Sequence, residues 1–297
     1  MANQNQAQPP KQARKERSQW AEVWHRLKKN KGAMVGLAVV ILLAIIALSV
    51  DIVLDYDVQV IGQNTKERLQ APNSEHLMGT DEFGRDIFYR VLYGTKYSLS
   101  VGFVAVFIAI IIGVFLGAIA GYFGGAMEEV IMRGTDIFAA VPNMLMAIVI
   151  VAALGQGMFN LMIAIGITSV PAFVRITRAA VLTVRNQEYI EACRAIGLSK
   201  SKIIFSHVLP NCLSPIIVQA TLRVGSAIIS SSALSFLGLG IPAPSPEWGS
   251  LLSAGRRFIR DYSYMTMFPG LAIMITVLAL NLLGDGLRDA LDPKLKN

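Results

Sequence analysis

The chain has 297 residues, of which 54% are hydrophobic and only 16% charged. Soluble domains carry about 25% charged residues, so this composition marks an integral membrane chain and excludes an ordinary soluble enzyme or binding module. A net charge of +7 would suit nucleic acid, but the basic residues are segregated by topology, and no nucleic-acid partner is expected.

Residues 1–17 are polar, with Pro9-Pro10 and several charges, and read as a disordered tail. Over 18–31, Trp20, Val23, Trp24 and Leu27 recur at i, i+3, i+4, i+7 beside Arg26, Lys28, Lys29 and Lys31. That spacing predicts an amphipathic helix lying in the headgroup region against membrane lipid. The basic stretch is long and leads into a span rather than a short apolar region with a cleavage site, so no cleavable signal is expected.

A crossing needs about 20 mostly apolar residues. Residues 32–50 supply the first, within a helix expected over 32–54, and 55–96 form the largest extramembrane loop. A core over 97–290 follows. Its first span, 97–121, carries Gly113, Gly117 and Gly121 every four residues, a spacing that lets helix backbones approach closely in lipid. The apolar stretch 137–174 is too long for one helix and divides at Gly155-Gln156-Gly157, giving a third span near 133–153 and a fourth near 159–175. Residues 213–237 and 264–284 supply the fifth and sixth, and 291–297 a terminal tail. An even number of spans puts both termini on one side. Of the 27 Lys and Arg, 19 fall on that side and 8 on the other, so the termini are expected in the cytosol. Cys193 and Cys212 fall on the same side, which argues against a structural disulfide, and their spacing is not that of a metal site.

Between the fourth and fifth spans, a loop over 181–212 contains a polar, basic island, 191–210. Tyr189, Cys193 and Ile196 share one side of a short helix, and Gly197 suits its C-terminus because glycine tolerates positive φ. Ser199 can cap a second helix over 200–208. Pro210 lacks an N–H, and the chain is expected to turn there. In the fifth span, Gln219, Arg223, Ser226 and Ser230 lie on one helical face. Polar groups within a membrane avoid lipid, so this face either lines a watery path or subunit interface, or makes helix–helix hydrogen bonds.

The first outer loop contains His76-Leu-Met-Gly79-Thr80-Asp81-Glu82-Phe83-Gly84-Arg85-Asp86. Its glycines and charges suggest tight turns held by ion pairs in a rigid loop. A metal site is not expected, since only His76 offers a nitrogen ligand. A second outer loop, 240–262, is stiffened by Pro242, Pro244 and Pro246. Near the end of the sixth span, Asp285, Arg288 and Asp289 are expected to cap and pair at the rim.

No G-x-x-x-x-G-K-[ST] loop occurs, so the chain has no such cradle for ATP phosphates. No span carries Asp or Glu near its middle, which disfavours an ion-coupled secondary transporter, and none carries an interior His, which disfavours an intramembrane Ser–His hydrolase. The chain is not expected to be catalytic by itself.

Glu191, Ala192, Gly197, Leu209 and Pro210 resemble the loop E-A-A-x-x-x-G, nine residues, I-x-L-P of ABC-importer permeases, with Cys193 for the second Ala and His207 for the Ile. The 76–86 segment resembles the H-x-L-G-T-D-x-x-G-R-D signature of the C-type permease subunit of dipeptide and oligopeptide importers. The P-x-P-E-W-G segment and the run from Asn281 to Pro293 resemble the same family, so the likeness extends from the Trp24 region to Pro293. It implies an all-α membrane protein of six transmembrane helices, with a five-helix importer-permease core, an interfacial helix and a cytosolic coupling loop. It further implies that Glu191, Ala192, Cys193, Gly197, Leu209 and Pro210 dock on an ATPase. The partners would be two ATPase subunits that hold ATP and Mg, a second, related permease chain, and an extracytoplasmic binding protein facing the outer loops. The membrane would be the prokaryotic cell membrane. Relatives in this family carry dipeptides or oligopeptides, and some carry nickel or glutathione.

Overall fold

A computed structural model describes residues 19–291 of the chain. The tail expected over 1–17, and nearly all of that over 291–297, lie outside the described residues. Within them the ordered structure is helical apart from one isolated bridge, Thr80 with Asp86. The helices are α1 Gln19–Leu27, α2 Lys31–Val53, α3 Ile87–Phe123, α4 Gly125–Ala139, α5 Asn143–Leu154, α6 Met158–Val184, α7 Glu188–Ala195, α8 Lys200–Ile203, α9 Leu213–Phe236, α10 Trp248–Gly255 and α11 Tyr264–Leu291. Five helical stretches are long and apolar enough to cross a membrane: α2, α3, α6, the path Lys200–Phe236 and α11. The pair α4–α5, bent by 86°, makes a sixth crossing when counted as one.

That bend departs from the continuous third helix expected over 133–153. Pro142 cannot donate a backbone hydrogen bond, and it disfavours helical geometry at Val141. The chain therefore breaks after Ala139 and restarts at Asn143.

Three spans, α3, α6 and α11, are longer than their apolar content predicted. Helix α3 begins at Ile87, ten residues before the expected position 97, because Asp86 caps it by accepting from Phe88 N at 2.7 Å. Its first turns carry Arg90 and Lys96, whose charges are met by Asp81 and Asp51. Helix α6 continues past Arg175 to Val184 because Arg175 and Arg178 pair with Asp136 and Glu128 on α4. Paired charges do not end a helix, although they end an apolar window.

The centre of the bundle is the α3–α6 seam. A Cβ added at Gly113 would lie 2.5 Å from Phe173 Cβ, one at Gly117 2.6 Å from Val174 O, and one at Gly121 2.8 Å from Val181 Cβ. The three glycines are thus all used by one partner helix, as small residues at this spacing allow. Helix α11 closes on α2 similarly: a Cβ at Gly36 would lie 2.5 Å from Ala279 O. Leu27 of α1 is buried with Ala33 and Ala290, so α1 spends one of its apolar residues on α11 rather than on lipid. Trp24 stays exposed, with Lys28 Nζ 5.1 Å above its ring. Both described ends therefore lie on one face, the terminal face, and connectivity places the α7–α8 loop there too.

Candidate functional site

On the terminal face, α7 ends in a glycine turn. Gly197 adopts φ +78°, which only glycine takes without strain. Leu198 N donates to Cys193 O at 3.1 Å and Gly197 N to Arg194 O at 3.0 Å, the paired bonds of a Schellman cap. Ser199 then caps α8 through Lys202 N. The chain does not turn at Pro210. A π turn over Ile204–Val208, with Leu209 N bonded to Ile204 O, and a 3-10 turn over Leu209–Cys212 carry it directly into α9. The wider π register accommodates the proline, so its missing N–H breaks no helix.

The loop's packed side is not the one its spacing suggested. Ile190, Ile203, Ile204, Val208 and Cys212 are buried together, with Cys193 and Leu198 partly covered. Tyr189 and Ile196 stand out at 43% and 75% exposure, and Glu191, Ala192, Gly197 and Pro210 are exposed beside them. Leu209 is half-buried. The loop is tied back to the bundle: Arg185 donates to Gly121 O at 2.8 Å, Arg194 lies over the Tyr122 ring and Lys200 over the Phe123 ring. Any push on this loop acts on the ends of α3 and α6.

Within the bundle, Arg223, Ser226 and Ser230 line a cavity of about 40 Å³ together with Asn143, Thr168 and Ser169. Gln219 shares their helical face but does not line it. Ser226 donates to Leu222 O at 3.4 Å and Ser169 to Ile165 O at 2.8 Å, so these hydroxyls satisfy their own helices. Arg223 makes no hydrogen bond or ion pair among the described residues. The contributions of α5 and α6 had no fixed spacing to announce them in the sequence.

On the opposite face the 76–86 segment is a closed hydrogen-bonded loop. Asp81 accepts from Phe83 N at 2.8 Å, Arg85 N at 3.0 Å and Arg85 Nε at 2.7 Å. Thr80 is fully buried, its hydroxyl donating to Glu67 O and accepting from Gln70 N. His76 Nδ1 lies 2.9 Å from Asp86 Oδ2, and Tyr264 donates to Thr80 O at 3.1 Å. Gly79 and Gly84 have φ of +77° and +72°, and a Cβ at Gly84 would overlap Asn64 O. Among the described residues no group of three or more potential ligands could hold a metal. Burial pushes the Glu82 carboxyl above its ordinary range, opposed by Arg257 at 3.6 Å.

The second outer loop is more than a stiff linker. Glu247 caps α10, and Trp248 is fully buried against α3, donating from Nε1 to Val91 O at 2.9 Å. Glu247 is also fully buried, with Oε2 accepting from Ser250 N at 2.9 Å and no basic partner among the described residues. Burial pushes its carboxyl above the ordinary glutamate range, against the backbone N–H bonds of Gly249 and Ser250. A raised folded pKa means that the native state holds the proton more tightly. Stability is therefore full below the unfolded value near 4.3 and falls as pH rises through the folded one. Glu247→Gln keeps an acceptor for Ser250 N and removes the charge. It is expected to raise the melting temperature at pH 8 by roughly 2–4 °C, about 1 kcal/mol, with the gap closing toward pH 4. Melting curves of both proteins across that range check this.

Bundled spans, a broken crossing beside a polar cavity and a protruding helix–glycine–helix loop define a transporter permease of importer type. The chain belongs to the family of binding-protein-dependent transport system inner membrane components, whose pattern it matches over residues 113–297. Residues 18–72 match the N-terminal transmembrane domain of oligopeptide transport permease C. The chain is 48% identical to the dipeptide transport system permease protein DppC of Alkalihalophilus pseudofirmus, over 97% of this chain and 94% of that one. It is 45% identical to the di/tripeptide permease DppC of Pseudomonas aeruginosa, over 93% and 92%. It is 44% identical to the glutathione permease GsiD of Escherichia coli, over 94% and 92%. Among solved structures, a chain of the MetNI methionine ABC transporter in an inward-facing form shares the fold. The TM-score is 0.56 at 18% identity, covering 69% of this chain and 98% of that one.

Proposed function

We propose that this chain is one of two permease subunits of an ATP-driven importer of dipeptides and short oligopeptides. The observation that carries the reading is the α7–Gly197–α8 loop. It is anchored inward by Ile190 and Ile203 yet presents Tyr189, Glu191, Ala192 and Ile196 outward on the face of both described ends. Exposed Tyr189 and Ile196 beside Glu191 give that surface a mixed apolar and acidic character that fits a protein partner. In this reading Glu191, Ala192, Cys193, Gly197, Leu209 and Pro210 form the docking element, with the termini and this loop in the cytosol. Two ATPase subunits bind ATP and Mg, and their closure pulls on the loop and hence on α3 and α6. A second, related permease completes the path along Arg223, Ser226 and Ser230, with Gln219 at the subunit boundary. The rigid segment from Gly79 to Asp86 faces an extracytoplasmic binding protein, and the complex sits in the prokaryotic cell membrane. The GsiD likeness supports glutathione, itself a small peptide, as a second cargo class.

The test is reconstitution with the partner permease, the ATPases and the binding protein. ATP-dependent accumulation of the peptide found by mass spectrometry on the purified binding protein is the expected result. Uphill uptake by this chain without a nucleotide-hydrolysing partner would overturn the reading.

A further inference from the structure

We infer that Arg223 is a specificity-determining residue that binds the free C-terminal carboxylate of the peptide as it passes through the membrane. The inference rests on the permease reading above.

Arg223 stands near the midpoint of the 24-residue α9. A guanidinium at that depth is costly, and such charges normally find a partner. Four other arginines of the bundle do: Arg90 meets Asp81, Arg133 meets Glu129, Arg175 meets Asp136 and Arg178 meets Glu128. Arg223 has no such partner among the described residues, and the hydroxyls of Thr168, Ser169 and Ser226 are already given to carbonyls of their own helices. Its surroundings in the cavity are uncharged: neutral polar groups, together with Met144, Ala147, Ile165, Ala227 and Leu234.

A second feature of the same cavity has the same sign. Asn143 opens α5 at the break in the third crossing, and no side chain caps that helix. Its first-turn N–H groups thus add partial positive charge beside Arg223. Broken membrane helices turn such ends toward anionic groups of their cargo.

The cavity's 40 Å³ admits one small polar group rather than a peptide. Asn143, Ser226 and Ser230 on its rim are exposed on the single chain, so the peptide body would lie outside it, toward the second permease. A carboxylate is the anion every unmodified peptide carries, and a planar guanidinium takes it in two parallel hydrogen bonds.

The test uses the complete transporter in nanodiscs with Ser226→Cys as reporter, the labelling of the same complex without that cysteine being subtracted. A water-soluble methanethiosulfonate reagent is applied with di-alanine or its C-terminal amide. Di-alanine should slow labelling about tenfold, the amide should slow it far less, and adding Arg223→Gln should remove the protection, as loss of a charge-assisted pair predicts. Equal protection by acid and amide, or full protection in Arg223→Gln, overturns the inference. So does failure of the two permeases to co-elute in Arg223→Gln, which would assign the guanidinium to a carboxylate of the partner chain. If the reporter is unreactive with and without ATP, Ser226 lines no watery path, and the proposed path and this inference fall together while the family assignment stands.

Discussion

Glu191→Lys is expected to lower ATP-driven uptake by about a hundredfold while leaving this chain folded and in the membrane, as expected for a central residue of a docking surface. Glu191 is exposed and makes no ion pair among the described residues. Substitutions at such positions typically change the stability of the chain itself by no more than about 0.5 kcal/mol. The neighbouring Ile190 is fully buried against Ile203 and Val208 and fixes the loop's orientation. The two positions therefore separate docking from folding. Glu191→Lys should retain the wild-type melting temperature but fail to co-purify with the ATPases. Ile190→Ala should lower the melting temperature through a cavity costing about 2–4 kcal/mol. Normal co-purification and uptake with Glu191→Lys would show that the loop does not dock there.

Gly117→Val should destabilise the chain by about 3 kcal/mol, the upper end of the overpacking range. The added Cβ would sit 2.6 Å from Val174 O and 2.8 Å from Thr177 Cβ. The first of these neighbours is backbone within α6 and cannot swing aside, so α3 and α6 must separate. Separation would also loosen the contacts of Gly113 and Gly121 along the same seam. Gly134 of α4 is the control: a Cβ there meets nothing within 4 Å. Gly134→Ala should be neutral or stabilising by up to about 1 kcal/mol. Thermal melts of both variants, with uptake measured below the lower transition, give the comparison. Equal melting temperatures for Gly117→Val and the wild type would mean that the seam does not carry the bundle.

Much of the candidate site was legible because its signals are local. Gly197 needed only its own backbone freedom, Ser199 only its place before a helix, and the turn at Asp81 only Phe83 and Arg85, within four residues. The face shared by Arg223, Ser226 and Ser230 follows from helical period alone. The outward side of α7 was not legible, because Tyr189, Cys193 and Ile196 and the buried Ile190 are all compatible with an amphipathic helix. Only the position of Val208 and Cys212, on the far arm of the loop, selects Ile190 as the anchor.

By itself the sequence determined that this chain crosses a membrane, which of its ends share a side, and which three glycines permit close packing. Each of these follows from composition or from periods of a few residues. Tertiary structure alone decided that those glycines meet α6, that the third crossing is bent, and that α5, α6 and α9 converge on Arg223. It also decided that Glu247 and Trp248 are buried. Such facts depend on pairs of residues far apart in the chain, such as Arg178 with Glu128 and Trp248 with Val91. No local pattern encodes them, because the energy that selects them arises only when the helices pack.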